Sequence, residues 1–135
     1  MNFFFDNNVS LYIVRALGCL SEKDKHYVTY LRNEFAPNTD DVIWMSKLKK
    51  EGNWIIISGD TRIKRNPHER EAWLESGLTT FFLAKGWMNI PFWIQAQKLV
   101  RWWPLIVEQS QRVQSGNFFE VPVNGNKMAV IPKRQ

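Results

Sequence analysis

Cysteine and histidine are scarce in this sequence, and their scarcity excludes two kinds of site. Among 135 residues there is one cysteine, Cys19, and there are two histidines, His26 and His68. A framework of disulfides is therefore excluded, which favours a reducing cytoplasm. The histidines lack metal-ligand spacing with each other and with Cys19, so a zinc site is not expected.

Three sequence patterns are also missing. No apolar run reaches the length of about 18 residues that a membrane-spanning helix requires. The N-terminal stretch MNFFFDNN has neither a basic region nor a long apolar run, so it does not resemble a signal peptide. The glycine-rich patterns GxxxxGK[ST] and GxGxxG, which hold nucleotide phosphates, do not occur. A cytoplasmic protein without contact with a membrane is expected.

The composition is that of a globular domain with a basic excess. Hydrophobic residues make up 44% of the chain and charged residues 23%, which suits a single domain of this length. We assign residues 1–125 to the domain and residues 126–135 to a basic C-terminal tail. The net charge of +5 favours an anionic partner such as nucleic acid, although mild basicity that serves only solubility is the alternative.

Short apolar runs alternate with helical patterns along the chain. Strands are predicted at residues 2–5, 26–31, 54–58, 79–83 and 118–123. Helices are predicted at residues 9–20, 41–50, 67–76 and 90–113, the last of them bent or broken at Pro104. This alternation predicts an α/β fold, a three-layer sandwich whose central sheet has four to five strands and is mostly parallel.

Aspartates follow the strands at positions where a parallel sheet binds ligands. Such sites lie beyond the carboxyl ends of the strands, where the strand order reverses. Right-handed crossovers place the second strand on one side of the first. If the third strand lies on the other side of the first, the strand order reverses between the first and third strands. Asp6 directly follows the first strand and Asp60 the third, while Asp40 and Asp41 open the helix after the second. The sequence therefore predicts that carboxylates converge at one edge.

Converging carboxylates point to a divalent metal ion. Each carboxylate resists ionising beside the others, and a hard cation removes that penalty. Mg²⁺ and Mn²⁺ prefer oxygen ligands, so one of them is the predicted cofactor. Taken singly, each acid has a simpler explanation: Asp6 and Asp40 as helix caps, and Asp60 as a turn residue.

Cations cluster just after Asp60. Arg62, Lys64, Arg65 and Arg70 follow it within ten residues. Guanidinium groups and helix N-termini both bind phosphates, so this stretch suits a phosphodiester polyanion. A solvated charged face is the alternative, because glutamates alternate with the arginines here.

Several segments together resemble the small PIN-like domains of VapC-type bacterial toxins. They are FFFDNNVS, TDDVIW and WIIISGDTRIKRNPHER, with FFLAKGW and VRWWP later, and the likeness runs over roughly residues 2–125. It implies a metal-dependent ribonuclease toxin with an antitoxin partner. The implied catalytic and metal-binding residues are Asp6, Asp41 and Asp60. Asp41 is preferred to Asp40 because it stands three residues before Trp44.

The first hypothesis, a metal-dependent ribonuclease, also assigns roles to other residues. Arg62, Arg65 and Lys85 are assigned to bind the RNA backbone. The candidate auxiliary residues are Asn7, Asp40 and Glu69.

The sequence departs from the family pattern in one place. Many PIN nucleases carry a further aspartate shortly after the one on the third strand, but here residues 61–63 are Thr, Arg and Ile. The nearest later acid is Glu69. Either Glu69 contributes to the metal site through a water molecule, or the site holds fewer ligands. A PIN-like RNA- or protein-binding module of weak catalysis is therefore a second hypothesis, and a small-molecule phosphatase is a third.

Aromatic residues dominate the last predicted helix. A stripe at helical spacing is predicted to face the core: Phe92, Ala96, Leu99, Trp103 and Ile106. Trp93, Val100 and Trp102 lie off the stripe and are predicted to form an exposed patch for a second copy in a homodimer or for an antitoxin helix. Trp44 and Trp73 are assigned to helix–sheet packing.

Overall fold

A central sheet organises the chain. The computed structural model describes residues 1–6, 8–61, 63, 66–113 and 116–132. These residues form a six-stranded sheet of order β2-β1-β3-β4-β5-β6. Its strands are β1 (Asn2–Phe5), β2 (Tyr27–Tyr30), β3 (Trp54–Ser58), β4 (Thr79–Leu83), β5 (Phe118–Val121) and β6 (Ala129–Ile131). Strands β1 to β5 are parallel and β6 pairs antiparallel with β5, so the predicted mostly parallel sheet is confirmed.

The helices begin and end at recognisable signals. They are α1 (Leu11–Ser21), α2 (Leu31–Glu34), α3 (Asp41–Glu51), α4 (Pro67–Ser76) and α5 (Phe92–Arg112), with 3₁₀ turns at Glu22–Asp24 and Trp87–Asn89. At the start of α4, the Asn66 side chain accepts hydrogen bonds from the His68 and Glu69 amides, and the helix ends at Gly77 in the left-handed conformation. In the part of the chain that the structure describes, no helix is both long and apolar enough to cross a bilayer.

Two apolar layers cover the two faces of the sheet. Because successive side chains of a strand point to opposite faces, Phe3 and Phe5 join the cluster under α1 and α5, while Phe4 joins the cluster under α3 and α4. The helical layers on both faces confirm the three-layer α/β sandwich. The alternation also explains why the apolar runs of β1 and β3 are continuous.

Two elements lie where the sequence predicts none. Strand β6 is formed by residues 129–131, which lie inside the segment assigned to the basic tail. Residues 133–135 of that tail lie outside the described residues. Its three residues are too few to give a periodic signal, and Ile131 alone is buried. Leu31 opens α2 instead of ending the second strand, and its side chain is buried against α3 and α4.

Helix α5 partly overturns the predicted apolar stripe. Leu99, Trp103 and Ile106 are buried as predicted. Phe92 is 42% exposed, so its core assignment is wrong: in this first turn the buried side chain is Gln95, which donates to the Trp87 carbonyl oxygen at 2.7 Å.

The predicted exposed patch on α5 is smaller than expected. Trp102 is fully buried, because positions 99, 102, 103 and 106 together form one broad apolar face. Trp93 and Val100 are exposed as predicted, at 75% and 42%. The helix continues through Pro104 rather than breaking there. Trp44 and Trp73 are buried, as predicted for helix–sheet packing.

Candidate functional site

The strand order brings the first and third strands side by side. Strand β1 lies between β2 and β3, so the predicted reversal of strand order is confirmed. Phe5 pairs with Ile57 at the carboxyl ends of the two strands, and the Asp6 amide donates to the Ile57 carbonyl oxygen at 3.2 Å. Asp6 and Asp60 therefore leave the sheet at the same edge.

Three carboxylates from separate elements meet at this edge. Asp41 opens α3, Asp60 follows β3, and Glu69 lies in the first turn of α4. One carboxylate oxygen from each lies within 4.8 Å of the others, and all three residues are half-buried. We call this group the three-carboxylate cluster. The predicted convergence thus holds for Asp41 and Asp60, and Glu69 is a direct member where the sequence suggests only an auxiliary role.

Asp6 lies beside this cluster and is not a member of it. Its carboxylate is buried and accepts hydrogen bonds from the Asn8 amide at 3.1 Å, from the Gly59 amide at 3.3 Å and from the Ser58 hydroxyl. Burial raises the pKa of Asp6 because the charged form loses hydration. The three hydrogen bonds oppose this rise, and the negative charge of Asp60 adds to it.

Ser58 and Gly59 connect the two aspartates. The Ser58 hydroxyl donates to Asp6, and its oxygen accepts from the Asp60 amide at 3.0 Å. Gly59 is required by space: a Cβ added there would lie 2.5 Å from the Cβ of Asn8. The tripeptide Ser-Gly-Asp, which begins at the last residue of β3, therefore holds the loop after β1 against the loop after β3.

Asp41 is oriented by a buried tryptophan. The Trp44 indole N–H donates to Asp41 Oδ1 at 3.0 Å, and the Trp44 ring stacks on Phe4 with centroids 5.2 Å apart. Asp40 occupies the N-cap position of α3, is exposed, and makes no side-chain capping bond. This contrast supports the preference for Asp41 over Asp40.

Of the three residues predicted to bind RNA, the structure describes only Lys85. Lys85 is exposed and lines a cavity of about 290 Å³ together with Asp60 and Glu120. Asn7, Arg62 and Arg65 lie outside the described residues.

Glu120 near the site is absent from the sequence predictions, and Arg70, predicted among the cations that suit a polyanion, has a different role. Glu120 lies on β5, and the signal that marks it is an acid within an otherwise apolar strand. Arg70 has a structural role, because its guanidinium donates to the carbonyl oxygens of Ile63 at 3.3 Å and Pro132 at 3.1 Å.

The donor set of the cluster fits a hard divalent cation. All three ligand groups are carboxylates, and oxygen donors suit Mg²⁺ or Mn²⁺, whereas zinc sites usually contain histidine or cysteine. Without a cation, three carboxylates at this separation repel one another. Half-buried ligands also leave room for the waters that Mg²⁺ retains.

A family model described as a PIN-like domain matches residues 1–85 of the chain. The chain belongs to the PIN-like domain family. The matched span contains the three-carboxylate cluster, Asp6 and Lys85, and it ends two residues after β4. Searches of curated proteins and of solved structures found no match. PIN-like domains often occur in nucleases, which agrees with a cluster of acids at the carboxyl edge of the sheet.

Proposed function

We propose that this PIN-like protein is a metal-dependent endoribonuclease and the toxin of a VapC-type toxin–antitoxin pair. The observation that carries the proposal is the approach of three carboxylate oxygens, from Asp41, Asp60 and Glu69, to within 4.8 Å of one another. Ionised carboxylates from three distant parts of a chain repel one another at this separation. A bound cation turns this repulsion into attraction.

Asp41, Asp60 and Glu69 would hold Mg²⁺ or Mn²⁺, and Asp6 would support the site from behind Asp60. When bound, the cation would offset the negative charge that develops on a phosphate during hydrolysis and would lower the pKa of an attacking water. Trp44 fixes one oxygen of Asp41, and Ser58 fixes the backbone of Asp60, so the ligands are oriented before the cation arrives.

RNA is the proposed substrate because the chain is basic and cations follow Asp60 in the sequence. The chain carries a net charge of +5, and the exposed Lys85 lines a cavity beside Asp60. Arg62 and Arg65 lie two and five residues after Asp60 in the sequence and are proposed to contact the phosphate backbone. RNA affinity should therefore fall steeply as the salt concentration rises.

The decisive test removes one ligand while keeping its shape. We expect Asp60→Asn to leave the fold intact and to abolish Mg²⁺- or Mn²⁺-dependent cleavage of RNA. A matched pair on α4 sharpens the test: Glu69 belongs to the cluster, whereas Glu71 is exposed outside it. Glu69→Gln should lose Mn²⁺ binding in calorimetry, and Glu71→Gln should keep it.

Two results would overturn the proposal. Unchanged cleavage by nuclease-free Asp60→Asn protein would exclude the cluster from catalysis. RNA binding without any Mn²⁺ binding at millimolar metal would favour the second candidate, a PIN-like binding module. The toxin role predicts that induced expression arrests bacterial growth, that Asp60→Asn relieves the arrest, and that a small protein encoded beside the gene neutralises it.

A further inference from the structure

A second cavity lies on the β2 side of Asp6, the residue beside the three-carboxylate cluster. It lies above the carboxyl ends of β1 and β2 and has a volume of about 390 Å³. Pockets that hold small organic ligands span roughly 300–1,000 Å³. The residues that matter for its chemistry are Asp6, Tyr12, Tyr30 and Arg32. We call it the tyrosine cavity.

Tyr12 is mostly exposed and belongs to neither apolar cluster found among the described residues. It lies in the first turn of α1 and is 66% exposed, although its neighbours Ile13 and Val14 are buried. Tyr30, at the end of β2, is half-buried and packs against the core under α1 and α5. The cavity therefore offers one mostly exposed aromatic ring, that of Tyr12, and one ring held by packing, that of Tyr30.

Arg32 adds a positive charge at the rim. Its side chain is exposed, and within the described ranges it forms no ion pair. A guanidinium beside aromatic rings is the combination that binds single-stranded nucleic acid, because the rings stack on bases and the cation contacts the backbone. A protein partner would be expected to meet an apolar surface, whereas this cavity contains a carboxyl group and a guanidinium.

Asp6 links the tyrosine cavity to the cluster. Its carboxyl group forms part of the cavity wall and accepts a hydrogen bond from the Ser58 hydroxyl, whose oxygen accepts one from the Asp60 amide. One serine side chain therefore connects the wall of the tyrosine cavity to the backbone of a cluster residue. A strand of RNA that places a phosphate at the cluster would carry a neighbouring nucleotide over Asp6 into the cavity.

We propose that the tyrosine cavity is a nucleobase subsite for a nucleotide next to the scissile phosphate. The base stacks on Tyr12 and Tyr30, and Arg32 contacts the adjoining phosphate. This inference rests on the proposed function. Because every base has an aromatic face, the subsite selects unpaired nucleotides rather than one sequence.

The test varies Tyr12 and follows kcat/KM for a single-stranded RNA oligonucleotide. Tyr12→Ala should lower kcat/KM about 5- to 100-fold, the range expected for the loss of one base–aromatic stack. Tyr12→Phe keeps the ring and should stay close to the wild type. Leu20→Ala is the matched control, since Leu20 is 56% exposed at the other end of the same helix.

Abasic substrates separate stacking from any other effect of the mutation. In a series with one abasic nucleotide at a time, one position beside the cleaved bond should cost the wild type about tenfold in kcat/KM. The same position should cost the Tyr12→Ala variant clearly less, because only Tyr30 is left there for the base to stack on. Equal penalties in both proteins at every position, or a Tyr12→Ala variant as active as the wild type, would overturn the subsite alone. Failure of the wild type to cleave RNA with Mg²⁺ or Mn²⁺ would overturn the proposed function and the subsite with it.

Discussion

Gly59 gives the sharpest test of how the site is built, because the same substitution at another glycine should have the opposite effect. A Cβ at position 59 would lie 2.5 Å from the Cβ of Asn8. Two carbon atoms prefer a separation of about 3.5–4.0 Å, so the loops must move apart by about 1 Å. The Cβ of Asn8 cannot rotate away, because its position is fixed by the backbone.

The displacement has a structural cost that can be worked out. Overpacking of this kind costs about 1–3 kcal/mol. The Gly59 amide donates to Asp6 across 3.3 Å, and an added movement of about 1 Å would break that bond, at about 1 kcal/mol more. Gly59→Ala should therefore lower the free energy of unfolding by about 2–4 kcal/mol.

Gly18 is the matched control. It lies within α1, and an added Cβ would meet the Cβ and carbonyl oxygen of Val28 at 3.6 Å, an ordinary contact. Alanine in the interior of a helix is more favourable than glycine by about 0.5–1 kcal/mol. Gly18→Ala should therefore stabilise the protein slightly.

Urea unfolding followed by tryptophan fluorescence measures both variants. With a slope of about 2 kcal/mol per molar urea, Gly59→Ala should lower the midpoint by about 1–2 M, and Gly18→Ala should raise it by about 0.3–0.5 M. Calorimetry with Mn²⁺ should show at least about tenfold weaker binding by Gly59→Ala, because Asp60 moves with the loop. Shifts of the same sign and size in both variants, or an unchanged Mn²⁺ affinity, would refute this account.

Two further predictions concern the neighbours of the proposed metal ligands. The first is tested in metal-free buffer. Because the pKa of Asp6 is raised in the native state, above the ordinary pKa of 3.8 the wild-type native state holds a proton that the unfolded state has released. The wild type therefore loses stability as the pH rises, and Asp6→Asn, which lacks this loss, should become increasingly stable relative to it. Urea midpoints that change in parallel with pH in both proteins would contradict this. Trp44→Phe should keep the stack on Phe4 but remove the donor to Asp41, which should weaken Mn²⁺ binding about tenfold in calorimetry. An unchanged affinity would show that the indole N–H does not orient the ligand.

Local signals were enough to predict the elements that carry the site. The bounds of β3 and α4 agree with the sequence prediction, because an apolar run closed by Gly59 and a helix opened by Asn66 and Pro67 are complete within a few residues. The meeting of Asp41 with Asp60 followed from the handedness of crossovers and the strand order.

The remaining features depend on tertiary packing. Whether Glu69 reaches the cluster depends on how the first turn of α4 sits against α3, which no pattern along one helix encodes. The Asp6 carboxylate is held by hydrogen bonds from the Ser58 hydroxyl and the loop amides, and these bonds too depend on contacts between separate loops. The burial of Trp102 depends on the width of the face that α5 presents to the sheet.

Arg70 connects the segment matched by the family model to the end of the described residues. It follows Glu69 in α4, and its guanidinium holds the Pro132 carbonyl oxygen just after β6. The family match stops at residue 85, so this contact joins the matched span to a segment that lies beyond it. Shortening the protein to its matched span would therefore leave the helix that carries Glu69 without one of its anchors, and the three-carboxylate cluster would lose support from a segment remote in sequence.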